Sequence, residues 1–526
     1  MTSVRRGNSS KLNAVVCKDR TPCRSSVMRA FSFLLLAACV SSPGPAQSTG
    51  AADAPSAAQL FHAGRFREAV AIYRERIGKD PSSATLRAGL VQGLLKLDEV
   101  QSADDESTRS LAALPKSALL HAVRGDLLFR KGQMLAAELE YRAALALDGQ
   151  CARAWFGMGR MEALVSHRGH ARAAFTRAHE LDPEDGDALY RWALLLPYPQ
   201  NVVALERHLK EYRADVERER RESEYIAFLK ALAGRHVWVP PPGISRQEIK
   251  LENIATAGAI RGMGVRVKFN GGPTQTLLLD TGAAWITISR KLAEKAGARK
   301  LSDLGMEGTG DSGPVAGYFA WVDRITIGDM EFHDCVVQVS MKDIAGPQDG
   351  ALGLQMFTGS IITLDFPTHR LRLAPLPDSV EAANDGPDKL LVQAPTGDRG
   401  PAQLFSFGHL LLLPTTVNDR AEGLFILDTG ANTNSITPGL ARQVGHLRNS
   451  KVTVSGNNGE VDEVFIAEGI SLQFSHLRQP REDMVSYGRH SLSKDLETEV
   501  SGFIGLPSLN RKKVTLNYRD GVVEVE

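Results

Sequence analysis

Leu278-Leu279-Asp280-Thr281-Gly282-Ala283 recurs 148 residues later as Ile426-Leu427-Asp428-Thr429-Gly430-Ala431. In each copy an apolar run delivers an acid into a Thr-Gly turn. The register holds downstream, where Ile288, Leu292, Ala293 and Gly297 stand against Ile436, Leu440, Ala441 and Gly445 at the same spacing. Farther on, Ala351-Leu352-Gly353-Leu354 matches Phe503-Ile504-Gly505-Leu506, and Ile362-Thr363-Leu364-Asp365 matches Val514-Thr515-Leu516-Asn517. The C-terminal half is therefore a duplication. Its texture is β, with short alternating apolar runs between Gly and Asn turns. Val265, Val267 and Phe269 alternate, Asn270-Gly271-Gly272 turns, and the chain climbs back to Leu277-Leu278-Leu279, which predicts a hairpin.

An apolar strand ending in Asp-Thr-Gly-Ala, followed later by two apolar residues and Gly, resembles the retropepsin-like and pepsin-like aspartic proteases. The resemblance covers about residues 250–526. One such tripeptide is weak; two in matching contexts are specific. The resemblance implies an all-β bilobal domain, like a retropepsin dimer fused into one chain. Lobe 1 is expected over 245–375, a linker over 376–402 and lobe 2 over 403–526. It makes Asp280 and Asp428 the catalytic pair. Peptide hydrolysis without a metal or a covalent nucleophile needs a base for water and an acid for the carbonyl. Two carboxylates sharing one proton supply both, because like charges in contact cannot both ionise. No cofactor is implied.

The resemblance also assigns supporting roles. Thr281 and Thr429 would hydrogen-bond across the axis between lobes. Gly282 and Gly430 would let a backbone N–H approach each carboxylate. Gly353 and Gly505 would sit where a later strand threads past each catalytic loop. Gly308, Gly310 and Gly313 are expected in one glycine-rich flap, and Gly456 and Gly459 in the other. The first flap also reads Gly-x-Gly-x-x-Gly, but no apolar strand precedes it and no helix follows, so it is not a dinucleotide loop. Ala283 and Ala431 stand where pepsins usually carry Ser or Thr. Losing a hydroxyl donor stabilises the ionised carboxylate less, which predicts an optimum less acidic than a digestive pepsin's.

Upstream, a second period appears. Pro81, Pro115, Gly149 and Pro183 are each 34 residues apart, as are Ala69, Ala103, Ala137 and Ala171. Tyr73, Ser107, Tyr141 and Phe175 keep that spacing with one polar lapse, and Gly125 and Gly159 add to the register. This resembles the tetratricopeptide repeat, which implies an all-α helical solenoid over 54–200. Small Ala residues let helices approach, the aromatic four residues on shares that face, and Pro or Gly ends each unit. The second repeat is degenerate, with Asp104, Asp105 and Glu106 in its second helix. Such arrays either hold a protein partner in a concave groove or serve as spacers. A charged helix and Pro-rich linker are expected over 201–244, with the charge run read as a solvated helix face.

The first residues read as a leader over 1–46, not as fold. Met28-Arg29 precedes an apolar run from Ala30 to Val40, too short to span a membrane. Leu36-Ala37-Ala38-Cys39 resembles the bacterial lipobox, which would put a lipid on Cys39 and tie the chain to a membrane; a plain cut near Ala46 is the alternative. Either way the expectation is export, to the periplasm or as an anchored lipoprotein. Five scattered cysteines form neither a disulfide framework nor a zinc site. With 62 basic and 61 acidic residues, nothing points to nucleic acid. The function expected is endopeptidase action on a peptide or protein substrate, with the repeats recruiting it. The alternative is an adaptor whose protease-like lobes bind extended peptides without cutting them.

Overall fold

Residues 57–232 form eleven helices in the computed structural model, which describes residues 55–213, 215–239, 246–256, 259–342, 348–377, 400–488 and 490–526. The leader, Cys39 and most of the expected 376–402 linker lie outside the described residues. Eight helices make four antiparallel pairs: α1 (Ala57–His62) with α2 (Phe66–Lys79), α3 (Ala84–Lys96) with α4 (Val100–Ala113), α5 (Ala118–Arg130) with α6 (Met134–Leu147), and α7 (Ala152–Leu164) with α8 (Arg168–Leu181). Then follow α9 (Gly186–Ala193), α10 (Gln200–Glu211) and α11 (Val216–Leu232). The period is written in the caps. Ser83, Ser117 and Asp185 each accept a backbone N–H at a helix start, from Leu86, Leu120 and Ala188. Such caps contribute about 1 kcal/mol apiece.

The periodic small residues let the helices close up. Ala69, Ala103, Ala137 and Ala171 are all buried. Gly89, Gly125 and Gly159 receive the rings of Tyr73, Tyr141 and Phe175, so closely that an added Cβ would lie 2.5, 2.5 and 2.7 Å from a ring carbon. The degenerate second repeat stays helical because its acids are paired. Asp104 meets Arg124 at 2.5 Å and Lys131 at 2.6 Å, and Glu106 meets Arg87 and Arg109. Among the described residues, no helix is long and apolar enough to cross a membrane.

The remainder is β. The expected hairpin forms: strand Ala259–Phe269 pairs antiparallel with Gln275–Leu279, and Asn270 and Gly271 turn at φ 49° and 73°. Within each lobe the same construction recurs. In lobe 1 the strand Gly350–Leu352 runs parallel to Gln275–Leu279 and antiparallel to Ile286–Ser289. In lobe 2, Gly502–Ile504 runs parallel to Ala421–Leu427 and antiparallel to Ser435–Ile436.

A shared sheet joins the lobes within one chain. Its order is Ala402–Gln403, Val522–Val525, Lys513–Asn517, Ser360–Asp365, Arg370–Pro375, Gln247–Thr256. The centre pairs the duplicated segments, with Thr363 opposite Thr515 and their hydroxyls 3.2 Å apart. A pseudo-twofold axis passes between them.

The charge run divides. It folds as α10 and α11; the charges of α10 (Glu206, Arg207, Lys210, Glu211) form the solvated face expected, whereas α11 is clamped to both lobes. Arg218 bonds Glu497 at 3.3 Å, Arg221 bonds Asp495 at 2.7 Å, and Arg220 bonds Glu307 at 2.6 Å. Glu224 accepts the N–H of Gly305 at 3.0 Å, and Phe228 packs on Phe319 with ring centroids 4.3 Å apart. Fixed geometry on both sides makes these charges an interface.

The array also supplies core to lobe 2. The second half of strand Ala421–Leu427 is buried on both faces. Phe425 and Leu427 face the interior of the lobes, whereas Leu424 and Ile426 pack with Phe405, Phe407 and Phe503 against Phe129, Met134 and Met161 of the helices.

Candidate active site

Each Asp-Thr-Gly turn leaves a strand whose last residue, Leu279 or Leu427, is fully buried. The N–H of Asp280 donates to Leu352 O at 3.0 Å, and that of Asp428 to Ile504 O at 3.0 Å. The crossing strand thus fixes both backbones. Gly353 and Gly505 stand at the crossings, where a Cβ would fall 2.3 Å from Ala283 O and 2.6 Å from Thr433 O. No larger residue fits either place.

The threonines tie the two turns together. Thr281 N donates to Thr429 Oγ1 at 3.1 Å, and Thr281 Oγ1 donates to Leu427 O at 2.6 Å. Reciprocally, Thr429 N donates to Thr281 Oγ1 at 3.0 Å, and Thr429 Oγ1 donates to Leu279 O at 2.8 Å. All four bonds are buried, where each is least exposed to competition from water.

This brings the carboxylates together. A Cβ on Gly282 would lie 3.0 Å from Asp428 Cγ, and one on Gly430 would lie 2.6 Å from Asp280 Cγ. Each glycine therefore makes room for the opposite lobe's acid. Gly282 N donates to Asp280 Oδ1 at 2.8 Å; Gly430 N and Ala431 N donate to Asp428 Oδ1 at 2.8 and 3.1 Å. Burial, and then the charge of Asp428, push the Asp280 carboxyl well above the usual carboxylate range. Like charges this close do not readily ionise together, which favours a single proton shared by the pair.

The two glycine-rich loops meet each other. Gly308, Gly310 and Gly313 belong to the loop between strands Arg299–Met306 and Val315–Ile327, and Gly456 and Gly459 to the small hairpin Ser455–Gly456 with Gly459–Glu460. Asn458 N donates to Thr309 O at 2.8 Å, Ser312 N to Asn458 O at 2.9 Å, and Asp311 N to Glu460 O at 3.0 Å. Gly310 sits at φ 125°, with room for no Cβ beside the backbone of Asn458.

Three neighbours of the turns escaped the sequence. Gln355 receives Trp285 N at 2.9 Å and donates to Ala283 O at 3.2 Å, bracing the first loop. Asn434 accepts from Gly505 N at 3.0 Å and Ser508 Oγ at 2.8 Å, bracing the second. His409 bonds the backbone of Gly282, and burial drives its imidazole down to about 4. Its sequence signal was slight: a Gly-His pair at the tip of a hairpin, ahead of four leucines.

The His409 shift has a measurable consequence. The unfolded chain takes the proton near 6.5, and the folded chain only near 4. The contribution is complete above about pH 6.5 and is lost as the pH falls through 4, a change of about 3 kcal/mol. Urea unfolding between pH 7 and 4 should show that loss in the wild type. It should be smaller by about that amount in His409→Gln; parallel curves would refute the assignment.

Among the described residues, Glu162, His167 and His170 bring ligand atoms within 4.8 Å of one another. This trio sits at the turn between α7 and α8, with His170 largely exposed and His167 already bonded to Glu162 at 2.9 Å.

Comparison with known proteins adds three likenesses. Human Protein O-mannosyl-transferase TMTC1 is 25% identical over 30% of this chain, which spans about a fifth (22%) of that relative. The crystal structure of the APC/C hetero-tetramer Cut9-Hcn1 aligns with TM-score 0.29 at 19% identity, over 33% of this chain and 34% of that one. TTC0263, a thermophilic tetratricopeptide repeat protein of Thermus thermophilus, aligns with TM-score 0.26 at 18% identity, over 32% of this chain and 93% of that one. In the β region, residues 265–356, which hold Asp280, match the aspartyl protease family, and lobe 2 repeats their turn-and-strand construction around Asp428.

Proposed function

We propose that this chain is an aspartic-type endopeptidase that hydrolyses extended peptides between its two β lobes. The observation that carries the reading is the meeting of Asp280 and Asp428 across Thr281 and Thr429 at the end of two equivalent strands. Asp280, whose carboxyl is raised, holds the shared proton; ionised Asp428 draws a proton from water as the oxygen attacks the scissile carbonyl. Asp280 gives its proton to the carbonyl oxygen. As the C–N bond breaks, the proton on Asp428 passes to the leaving nitrogen, and a hydroxyl proton of the intermediate returns to Asp280. The two glycine-rich loops act as flaps that part to admit substrate and then close.

The test is a diverse peptide library incubated with the wild type, Asp280→Asn and Asp428→Asn across pH 3 to 8, read by mass spectrometry. Cleavage lost in both variants supports one shared site. Retained peptide binding with no cleavage in any of the three, in folded protein, would replace this reading by the adaptor.

The leader belongs to the same proposal: the enzyme works outside the cytoplasm, anchored through a lipid on Cys39. Lipid anchoring predicts a mature protein that begins at Cys39 and partitions with membranes, whereas a plain cut predicts a soluble start near Ala46. Cys39→Ser should release it, and an intact leader in the recovered protein would refute export.

A further inference from the structure

Glu497 belongs to lobe 2, yet its carboxylate lies among the helices. It is 3.3 Å from Arg218, 3.7 Å from Arg160 and 3.8 Å from Lys96. These three cations come from α11, α7 and α3. They stand in a wider network. Arg153 pairs with Asp126 at 2.6 Å, Asp185 at 3.0 Å and Asp187 at 3.2 Å; Arg160 meets Asp126 at 2.5 Å, and Lys96 meets Asp187 at 2.8 Å. Within this network the array supplies four cations but three carboxylates. Glu497 is the fourth carboxylate, so lobe 2 completes the charge balance of this network. A cation left unpaired there would carry its desolvation cost uncompensated.

The site is built as well as balanced. The guanidinium of Arg160 lies over the Phe129 ring at 4.1 Å and the Phe156 ring at 4.8 Å, contacts independent of Glu497 that hold it in place. Burial alone would raise the Glu497 carboxyl; Lys96 and Arg218 outweigh it and bring it down to about 2. Its backbone is left-handed, at φ 55°. L residues seldom adopt that conformation unless their surroundings impose it.

From Glu497 the chain leads straight to the catalytic turn. Thr498 Oγ1 donates to Phe129 O at 2.8 Å, and Glu499 N donates to Arg130 O at 2.9 Å. Val500 is fully buried against the helices, and Ser501 N donates to Leu424 O at 2.7 Å. Strand Gly502–Ile504 follows, and Ile504 O receives the N–H of Asp428. Every link is anchored on the array or on the catalytic strand.

We propose that Glu497 is a positioning residue for Asp428, and that the helical repeats, through Lys96, Arg160 and Arg218, are part of the apparatus that holds the catalytic turn. Its catalytic half rests on the endopeptidase reading above; its mechanical half does not. The cations Lys96, Arg160 and Arg218 are thereby committed to the protein's own second lobe.

The experiment uses the full chain, with Glu497→Gln and Glu497→Asp. Amide hydrogen exchange is followed over 498–504 and 427–430, with 277–282 of lobe 1 as internal reference. Glu497→Gln is expected to speed exchange over 498–504 by about tenfold and to leave 277–282 unchanged. Its kcat should fall about 10²-fold with KM nearly constant, the mark of a misplaced group rather than a lost substrate contact. Glu497→Asp, which keeps the charge, should recover part of both effects. Should Glu497→Gln not fold, Arg218→Gln removes one partner and should give the same pattern in weaker form. Unchanged exchange over 502–504 overturns the proposal, and so does faster exchange with wild-type kcat. A wild type that cleaves nothing defeats the endopeptidase reading, and exchange still decides whether Glu497 holds the strand.

Discussion

Under the proposed dyad mechanism, Asp428→Asn should lower the rate of peptide cleavage about 10³-fold or more, and Asp280→Asn should do the same, while both proteins stay folded. An amide has nearly the shape of a carboxyl group but can neither take a proton from water nor give one to a carbonyl. The fold should tolerate the change because the acids are not what joins the lobes. The threonine bonds and the shared sheet do that. Burial and the neighbouring charge raise Asp280, so Asp428→Asn removes one of those pressures and Asp280 should titrate lower in the variant. Thermal melts at pH 7 should show a midpoint equal to or above that of the wild type. Cleavage persisting in either variant would remove the dyad from the mechanism.

The second large effect is on stability, far along the chain from the acids. Phe129→Ala should cost about 3–5 kcal/mol. Phe129 is nearly fully buried, its ring lies 6.0 Å from that of Phe407, Arg160 sits over it, and its carbonyl receives Thr498. Cutting the ring away opens a cavity between the array and lobe 2 that neither side can fill alone. The damage should therefore appear as faster amide exchange along Ala421–Leu427. Leu135→Ala, on the neighbouring helix but 48% exposed, should stay within about 0.5 kcal/mol. Urea unfolding of the two variants gives the comparison. Full protection of the lobe 2 strand in Phe129→Ala would mean that the repeats are a mere appendage.

Much of this was legible in sequence because it is written twice or at a fixed period. The repeated Asp-Thr-Gly turns gave the bilobal β domain, and the 34-residue spacing of Ala and aromatic positions gave the helical array. The docking of one on the other was not legible. The charges of α11 are plain in the sequence, but their partners lie 87, 274 and 279 residues away, and a charge run alone looks the same whether it meets water or a lobe. One clue was present. Leu424-Phe425-Ile426-Leu427 is continuously apolar, as a strand covered on both faces must be, and in lobe 2 the second cover is helical. Gln355, Asn434 and His409 were hidden for another reason: they are braces, and a brace is recognised only by what it touches.

Those unequal braces have a further consequence. A symmetric homodimer offers a peptide the same cleft whichever way it enters, so N-to-C and C-to-N binding are equivalent. Here the halves share an axis at Thr363 and Thr515 but not the braces behind their turns. Gln355 and His409 stand by one turn, and Asn434 and Ser508 by the other. In the endopeptidase proposed above, the two sides of the dyad would therefore differ. A peptide and its reversed sequence should be cleaved at different rates, and residues before the scissile bond could be selected independently of those after it.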